Sequence, residues 1–116
     1  MTLLSAQLVA DLLPEPLSHR FLNDPGRSID SIQVANRFAE WFDHSGTPFF
    51  RDYTDHSAKH SVAVFQTAVE FIDEAAYPQI SAEDIAILLL SCFCHDCGMH
   101  ITDRQFSSLI QTTILP

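Results

Sequence analysis

The chain has 116 residues, 47% of them hydrophobic, and its 15 acidic and 6 basic side chains give a formal charge of −9 at pH 7. This length suits one domain, residues 1–116, since typical domains contain roughly 100–150 residues, and it excludes an enzyme with separate cofactor and substrate lobes. Direct binding of duplex nucleic acid or of an anionic membrane needs clustered Lys and Arg, so the acidic balance argues against both.

The cysteines and the hydropathy of the sequence indicate in which cell compartment the protein lies. The most apolar stretch, Ile85–Cys94, is shorter than the roughly 20 residues of a membrane span, and the N-terminus lacks the basic region of a signal peptide. Cys92, Cys94 and Cys97 have no distant cysteine to pair with, which is typical of a reducing cytosol. Because Cys92 and Cys94 point about 200° apart on a helix, we interpret the three as small buried hydrophobic residues rather than a zinc site. We expect a cytoplasmic protein.

Apolar residues recur with helical spacing throughout, which predicts an all-α fold of about five helices. The first predicted helix runs from Leu3 to Leu13 and ends at a proline, and a loop then extends to residue 27. The second begins with Ser28 as its N-cap and ends near His44. Its apolar stripe consists of Ile29, Ile32, Ala35, Phe38, Ala39 and Phe42.

Three further helices are predicted in the second half of the chain. The third begins at Asp55 or His56 and ends at Ala76. The fourth opens with Ser81 and Asp84 in the spacing of a capping box and is apolar nearly all round, which predicts a central, buried helix. A fifth segment follows Thr102.

Two groups of polar residues lie at the ends of the third and fourth predicted helices. His95 and Asp96 directly follow the apolar fourth helix. A carboxylate buried there needs a metal, a base or several donors, because an unpaired one costs several kcal/mol. His56 and His60 are four residues apart and share a face if the helix has begun by His56. Together they could converge on a divalent ion; imidazole with carboxylate suits Zn, Mn, Fe or Ni, and pure oxygen ligation suits Mg.

These residues carry a resemblance to a known family. The sequence His60-Ser-Val-Ala-Val, followed 35 positions later by His95-Asp-Cys-Gly-Met, resembles the H…HD signature of the HD-domain metal-dependent phosphohydrolases. The preceding Tyr53-Thr-Asp-His-Ser resembles a prokaryotic, conflict-associated HD subgroup. The resemblance covers residues 50–102 and implies an HD/phosphodiesterase-like helical bundle.

The resemblance also implies residue roles. His60, His95 and Asp96 correspond to metal ligands, and Asp96 is also a catalytic residue at the ion. His56 falls where similar phosphodiesterases place a proton donor for the leaving group, so general acid is its candidate role. Asp52 or Asp55 could hold the tautomer of that histidine. The implied function is a divalent-metal-dependent phosphomonoesterase or phosphodiesterase acting on a small phosphate ester, such as a nucleotide, with Mn, Fe, Zn, Ni or Mg as cofactor.

The chain departs from the family pattern at its C-terminal end. The pattern closes with an Asp on a later helix, whereas this chain ends 20 residues after Asp96, and Asp103 is the only later acidic residue. We therefore expect residues 1–27 to form an N-terminal helix and loop and residues 28–116 an incomplete set of metal-site helices, truncated at the C-terminus. Alternatives are an inactive HD-like regulatory or interaction module and a non-functional fragment. Homo-oligomerisation or further domains beyond Pro116 would be compatible with either.

Overall fold

The computed structural model describes residues 4–45, 58–95, 97, 103–109 and 111, and these residues confirm an all-α fold. Six α-helices and one 3₁₀ helix occur in these ranges. In chain order they are α1 (Ala6–Asp11), α2 (Glu15–Leu22), α3 (Pro25–Ser45), α4 (Ala58–Glu70), the 3₁₀ helix (Glu74–Gln79), α5 (Ala82–Cys94) and α6 (Asp103–Leu109).

The predicted loop after Leu13 is wrong, because α2 occupies most of it. Pro14 is the N-cap of α2, and Pro16 lies in its first turn. Proline is tolerated there because the first backbone N–H groups of a helix have no partner within the helix. These prolines therefore end α1 and start α2, which packs back against α1.

The predicted start of the second helix at Ser28 is also wrong. The helix, α3, begins at Pro25, and the Asp24 carboxylate accepts a hydrogen bond from the backbone N–H of Arg27 at 3.2 Å. An Asp followed by Pro at the first helical position is a strong helix start. Ser28 lies inside the helix, is buried, and donates its hydroxyl to the carbonyl of Pro25 at 3.5 Å.

The third predicted helix is shorter than expected at its C-terminal end. α4 ends at Glu70, and Asp73 caps the 3₁₀ helix by accepting a hydrogen bond from the N–H of Ala75 at 3.1 Å. The capping box of α5 is confirmed: the Ser81 hydroxyl accepts from the Asp84 N–H at 3.1 Å, and the Asp84 carboxylate accepts from the Ser81 N–H at 2.9 Å.

The core lies around α5, which packs most extensively against α3 and also contacts α2 and α4. Phe42 of α3 and Phe93 of α5 are both buried, and their rings stack with centroids 6.4 Å apart. The prediction of a central helix is therefore confirmed, although Ile87 on the outer face of α5 is 56% exposed. The largest fully buried apolar side chains are Phe21, Phe42, Phe65, Phe93, Leu17, Leu89 and Val9.

Two side chains form hydrogen bonds that hold distant segments of the chain against this core. Asn36 of α3 accepts from the N–H of Leu4 at 2.8 Å and donates to its carbonyl at 3.0 Å. Arg20 of α2 donates to the carbonyls of Tyr77 and Ile80, the latter at 2.8 Å. The segment between α4 and α5 is thereby held against α2. No helix among the described residues has the length and apolar character needed to cross a membrane.

Candidate metal site

The fold brings His60 and His95 together, although they are 35 positions apart in the sequence. His60 lies in the first described turn of α4, and His95 is the C-cap residue of α5. The two imidazole rings have centroids 5.7 Å apart and planes inclined by 39°. The N-terminal end of α4 therefore meets the C-terminal end of α5, as two neighbouring antiparallel helices require.

Buried residues on both helices fix this meeting point. Ala58 and Phe65 of α4 and Phe93 of α5 are fully buried. His60, in contrast, is half-buried, and His95 is exposed. The two rings thus lie at the edge of the core, where packed helices hold their backbones and an ion or a small molecule from solvent can reach them.

The His95 ring is oriented by a backbone hydrogen bond. Its Nδ1 lies 2.5 Å from the carbonyl oxygen of Cys92. Because a carbonyl only accepts, Nδ1 carries the proton, and in the neutral ring the lone pair is then on Nε2. Metal-binding histidines commonly donate their other ring N–H to a carbonyl or carboxylate in this way.

The pair of rings fits a divalent cation of the kind that imidazole prefers. An imidazole nitrogen binds zinc at about 2.0–2.1 Å, so two rings that share one ion have centres roughly 5 Å apart. The observed 5.7 Å separation is close to that spacing and needs only a small ring movement. The C-terminal end of α5 also carries partial negative charge, which favours a cation beside His95.

Only two of the four predicted site residues can be placed. Asp96 and His56 lie outside the described residues, as do Asp52 and Asp55. Within the described ranges, no group of three or more His, Cys, Asp or Glu side chains is arranged to hold a metal ion. The whole predicted ligand set, the two histidines included, therefore stays a prediction.

The three cysteines differ in their surroundings. Cys92 is buried, and burial raises the pKa of its thiol. Cys94 is exposed, and Cys97 is half-buried, with its Sγ donating to the carbonyl of Phe93 at 3.7 Å. The interpretation as small buried hydrophobic residues is confirmed for Cys92 and wrong for Cys94, because Cys94 lies seven residues after the exposed Ile87 on the outer face of α5. The signal that sequence reasoning passed over is the Cys-x-x-Cys spacing of Cys94 and Cys97.

A groove of about 470 Å³ extends from His60 along α4. Its described lining is mainly apolar and consists of His60, Ala63, Val64, Thr67, Ala68 and Phe71. Phe71, at the far end, is 84% exposed. This lining suits the organic part of a ligand better than a phosphate group, since none of these side chains is a Lys or Arg.

Comparison with known proteins gives one family. Residues 50–114, more than half of the chain, match the family model described as HD-CE. The match includes both histidines of the site. Neither the curated proteins nor the solved structures contain a match to this chain.

Proposed function

Because the chain belongs to the HD-CE family, we propose that it is a divalent-metal-dependent phosphohydrolase of HD type, acting on a small phosphate ester such as a nucleotide. The observation that carries the proposal is the approach of the His60 and His95 rings to 5.7 Å at the junction of α4 and α5. Two imidazoles at the edge of a core, one with Nδ1 bonded to a carbonyl, supply the first two ligands of a metal centre.

We assign the ion to His60, His95 and Asp96. When bound, a divalent cation acidifies a water molecule and neutralises the oxygens of a phosphate ester. The role of His95 is to present Nε2, which its bond to the Cys92 carbonyl supports. The role of His60 is to supply the second imidazole from the facing helix.

We assign His56 the transfer of a proton to the oxygen of the leaving group. This role follows from its position four residues before His60 and from the family resemblance. A general acid typically contributes 10²–10⁴-fold to the rate, so His56→Ala should lower kcat by about that factor while metal content is retained.

The charge of the chain supports a cation-dependent reaction. With a formal charge of −9, the protein repels a phosphate ester unless positive charge is supplied locally. A bound divalent ion supplies that charge at the site itself. The apolar groove that begins at His60 offers a surface for the organic group of the ester.

Metal analysis tests the ligand assignment. The purified protein should bind Mn, Fe, Zn or Ni, and His60→Ala, His95→Ala and the double variant His95→Ala/Asp96→Ala should lose the ion. His19→Ala is the matched control, since His19 is an exposed histidine on α2, which carries none of the proposed ligands, and it should keep the wild-type metal content. A folded wild-type protein that cannot be loaded with any of these metals contradicts the proposal.

Hydrolysis assays test the reaction. We expect Mn-loaded protein to cleave p-nitrophenyl phosphate or bis(p-nitrophenyl) phosphate, and His95→Ala to reduce cleavage to the background rate. If the protein binds the metal through His60 and His95 but hydrolyses neither these esters nor nucleotides, it is instead the inactive HD-like module. Its metal then has a structural role.

A further inference from the structure

Two cysteines flank the proposed metal ligands His95 and Asp96 in the sequence. Cys94 and Cys97 directly flank His95 and Asp96 in the sequence Cys-His-Asp-Cys. Cys94 is exposed and Cys97 is half-buried, and both are reduced. A soluble oxidant can therefore reach the first thiol, and the second lies three residues further along the chain.

The spacing of Cys94 and Cys97 determines how far the chain between them must tighten to form a disulfide. In a regular α-helix, the Cα atoms of residues i and i+3 are about 5 Å apart, which lies within the range of disulfides. Their Cβ atoms, however, are about 5–6 Å apart, and a disulfide needs about 3.5–4.5 Å. A disulfide therefore requires this segment to tighten, as in a 3₁₀ turn, in which side chains at i and i+3 eclipse one another.

The Cys97 side chain points back toward the end of α5. Its Sγ donates to the carbonyl of Phe93, four residues back. The thiol therefore points back toward the last turn of α5, which ends at Cys94. Cys92 is buried in the core on another face of α5 and does not compete for this position.

We propose that Cys94 and Cys97 form a reversible disulfide with a low-molecular-weight disulfide, such as glutathione disulfide, as oxidant, and that this bond displaces His95. The Cys94 sulfur attacks the oxidant, releasing one small thiol and giving a mixed disulfide, and its proton passes to solvent or to the leaving thiolate. Cys97 then attacks the Cys94 sulfur and releases the second small thiol. The protein loses two electrons and two protons, and the oxidant gains them.

The expected consequence is a change at the metal site. Closing the Cβ–Cβ distance tightens the turn that carries His95, and the bond from its Nδ1 to the Cys92 carbonyl belongs to the same turn. Losing a partner that orients a metal-binding histidine typically lowers metal affinity by about 10–100-fold. This consequence rests on the proposed function, whereas the disulfide itself does not.

Mass spectrometry and thiol titration test the disulfide. After exposure to glutathione disulfide, the wild-type chain should lose the mass of two hydrogen atoms and keep one of its three thiols. Cys97→Ser should stop at the glutathione adduct on Cys94, and Cys92→Ala, the matched control, should still form the disulfide. Three outcomes overturn the proposal. They are a wild-type glutathione adduct as persistent as that of Cys97→Ser, no reaction at all, and a disulfide-linked dimer.

Histidine NMR and manganese binding test the displacement. Oxidation should shift the ring signals of His95, assigned with His95→Ala, and leave those of His19 on α2 unchanged; unshifted His95 signals overturn the displacement. Mn²⁺ is the metal probe because it prefers oxygen ligands and not soft thiolates, so oxidation does not simply remove a thiolate ligand. If reduced protein binds no Mn²⁺ or other metal, the proposed function fails, while the mass and NMR results still decide this inference.

Discussion

At the scale of single residues, Ser61 is the position where packing and hydrogen bonding conflict. It follows His60 on α4 and is 0% exposed, and its hydroxyl has no hydrogen-bond partner among the residues the structure describes. A buried polar group without a partner costs about 1–3 kcal/mol. Ser61→Ala should therefore raise the free energy of unfolding by about 1 kcal/mol, measured by urea denaturation of the metal-free protein.

Ser31 provides the matched control. It is equally buried, 3% exposed on α3, but its hydroxyl donates to the carbonyl of Ser28 at 3.1 Å. Ser31→Ala loses that hydrogen bond and should lower the free energy of unfolding by about 0.5–1.5 kcal/mol. If both substitutions destabilise the protein equally, the Ser61 hydroxyl has a partner that the described residues do not include.

Residue identities predict part of the site. His60 and His95 stand out by their positions at opposite ends of two apolar helices, and the structure brings their rings together. The exposure of Cys94 could not be predicted in the same way. It depends on which face of α5 points away from the core, and a run that is apolar nearly all round does not indicate that face.

At the scale of elements, the start of α5 is the best-defined helix end among the described residues. Ser81 and Asp84 satisfy each other's backbone N–H groups in a reciprocal capping box. Ser81→Ala should lower the free energy of unfolding by about 1 kcal/mol, the usual effect of losing an N-cap side chain. Ser91→Ala, at an exposed position later in the same helix, should change it by no more than a few tenths.

The same capping box predicts a pH dependence. Hydrogen bonds from the backbone N–H and the hydroxyl of Ser81 lower the pKa of Asp84 below its ordinary value of 3.8. A carboxylate whose pKa is lower in the folded state stabilises the fold above the ordinary value, and this stabilisation is lost as pH falls toward the lowered value. The stability difference between wild type and Asp84→Asn should therefore be largest near neutral pH and shrink below about pH 4.

The control for this pH effect is the Ser81→Ala background. There the hydroxyl is gone and the backbone hydrogen bond stays, so adding Asp84→Asn to Ser81→Ala should change the free energy of unfolding at neutral pH by less than Asp84→Asn changes it in the wild type. In either background, an effect of Asp84→Asn that grows on acidification would show that folding raises the pKa of Asp84 instead of lowering it.

Element boundaries are predicted correctly where one signal acts alone and missed where two compete. The capping box of Ser81 and Asp84 has no rival signal and is confirmed. Pro14 indicates the end of one helix, although it also precedes α2. Ser28 is a good cap and predicts the start of α3, but Asp24 with Pro25 is a stronger start and leaves Ser28 inside the helix. Tertiary packing decides between such signals.

At the scale of the whole molecule, acidic side chains far outnumber basic ones. The formal charge is −9, and the ion pair between Arg27 and Glu83 is long, at 3.6 Å, with both side chains more than half exposed. An exposed pair of this kind contributes about 0–1 kcal/mol. Repulsion among the acidic side chains should therefore outweigh attraction, in contrast to the well-packed core around α5.

Salt should consequently stabilise the folded chain. Raising NaCl from about 0.1 M to about 1 M shortens the Debye length from about 10 Å to about 3 Å and screens the repulsion. We expect the Tm of the metal-free protein, measured with EDTA present, to rise by a few degrees. Glu40→Gln with Asp43→Asn removes two exposed charges from α3, so this variant should have a higher Tm at low salt and a smaller rise. A Tm that falls with NaCl would mean that attractive pairs, and not the net charge, govern the electrostatics of the fold.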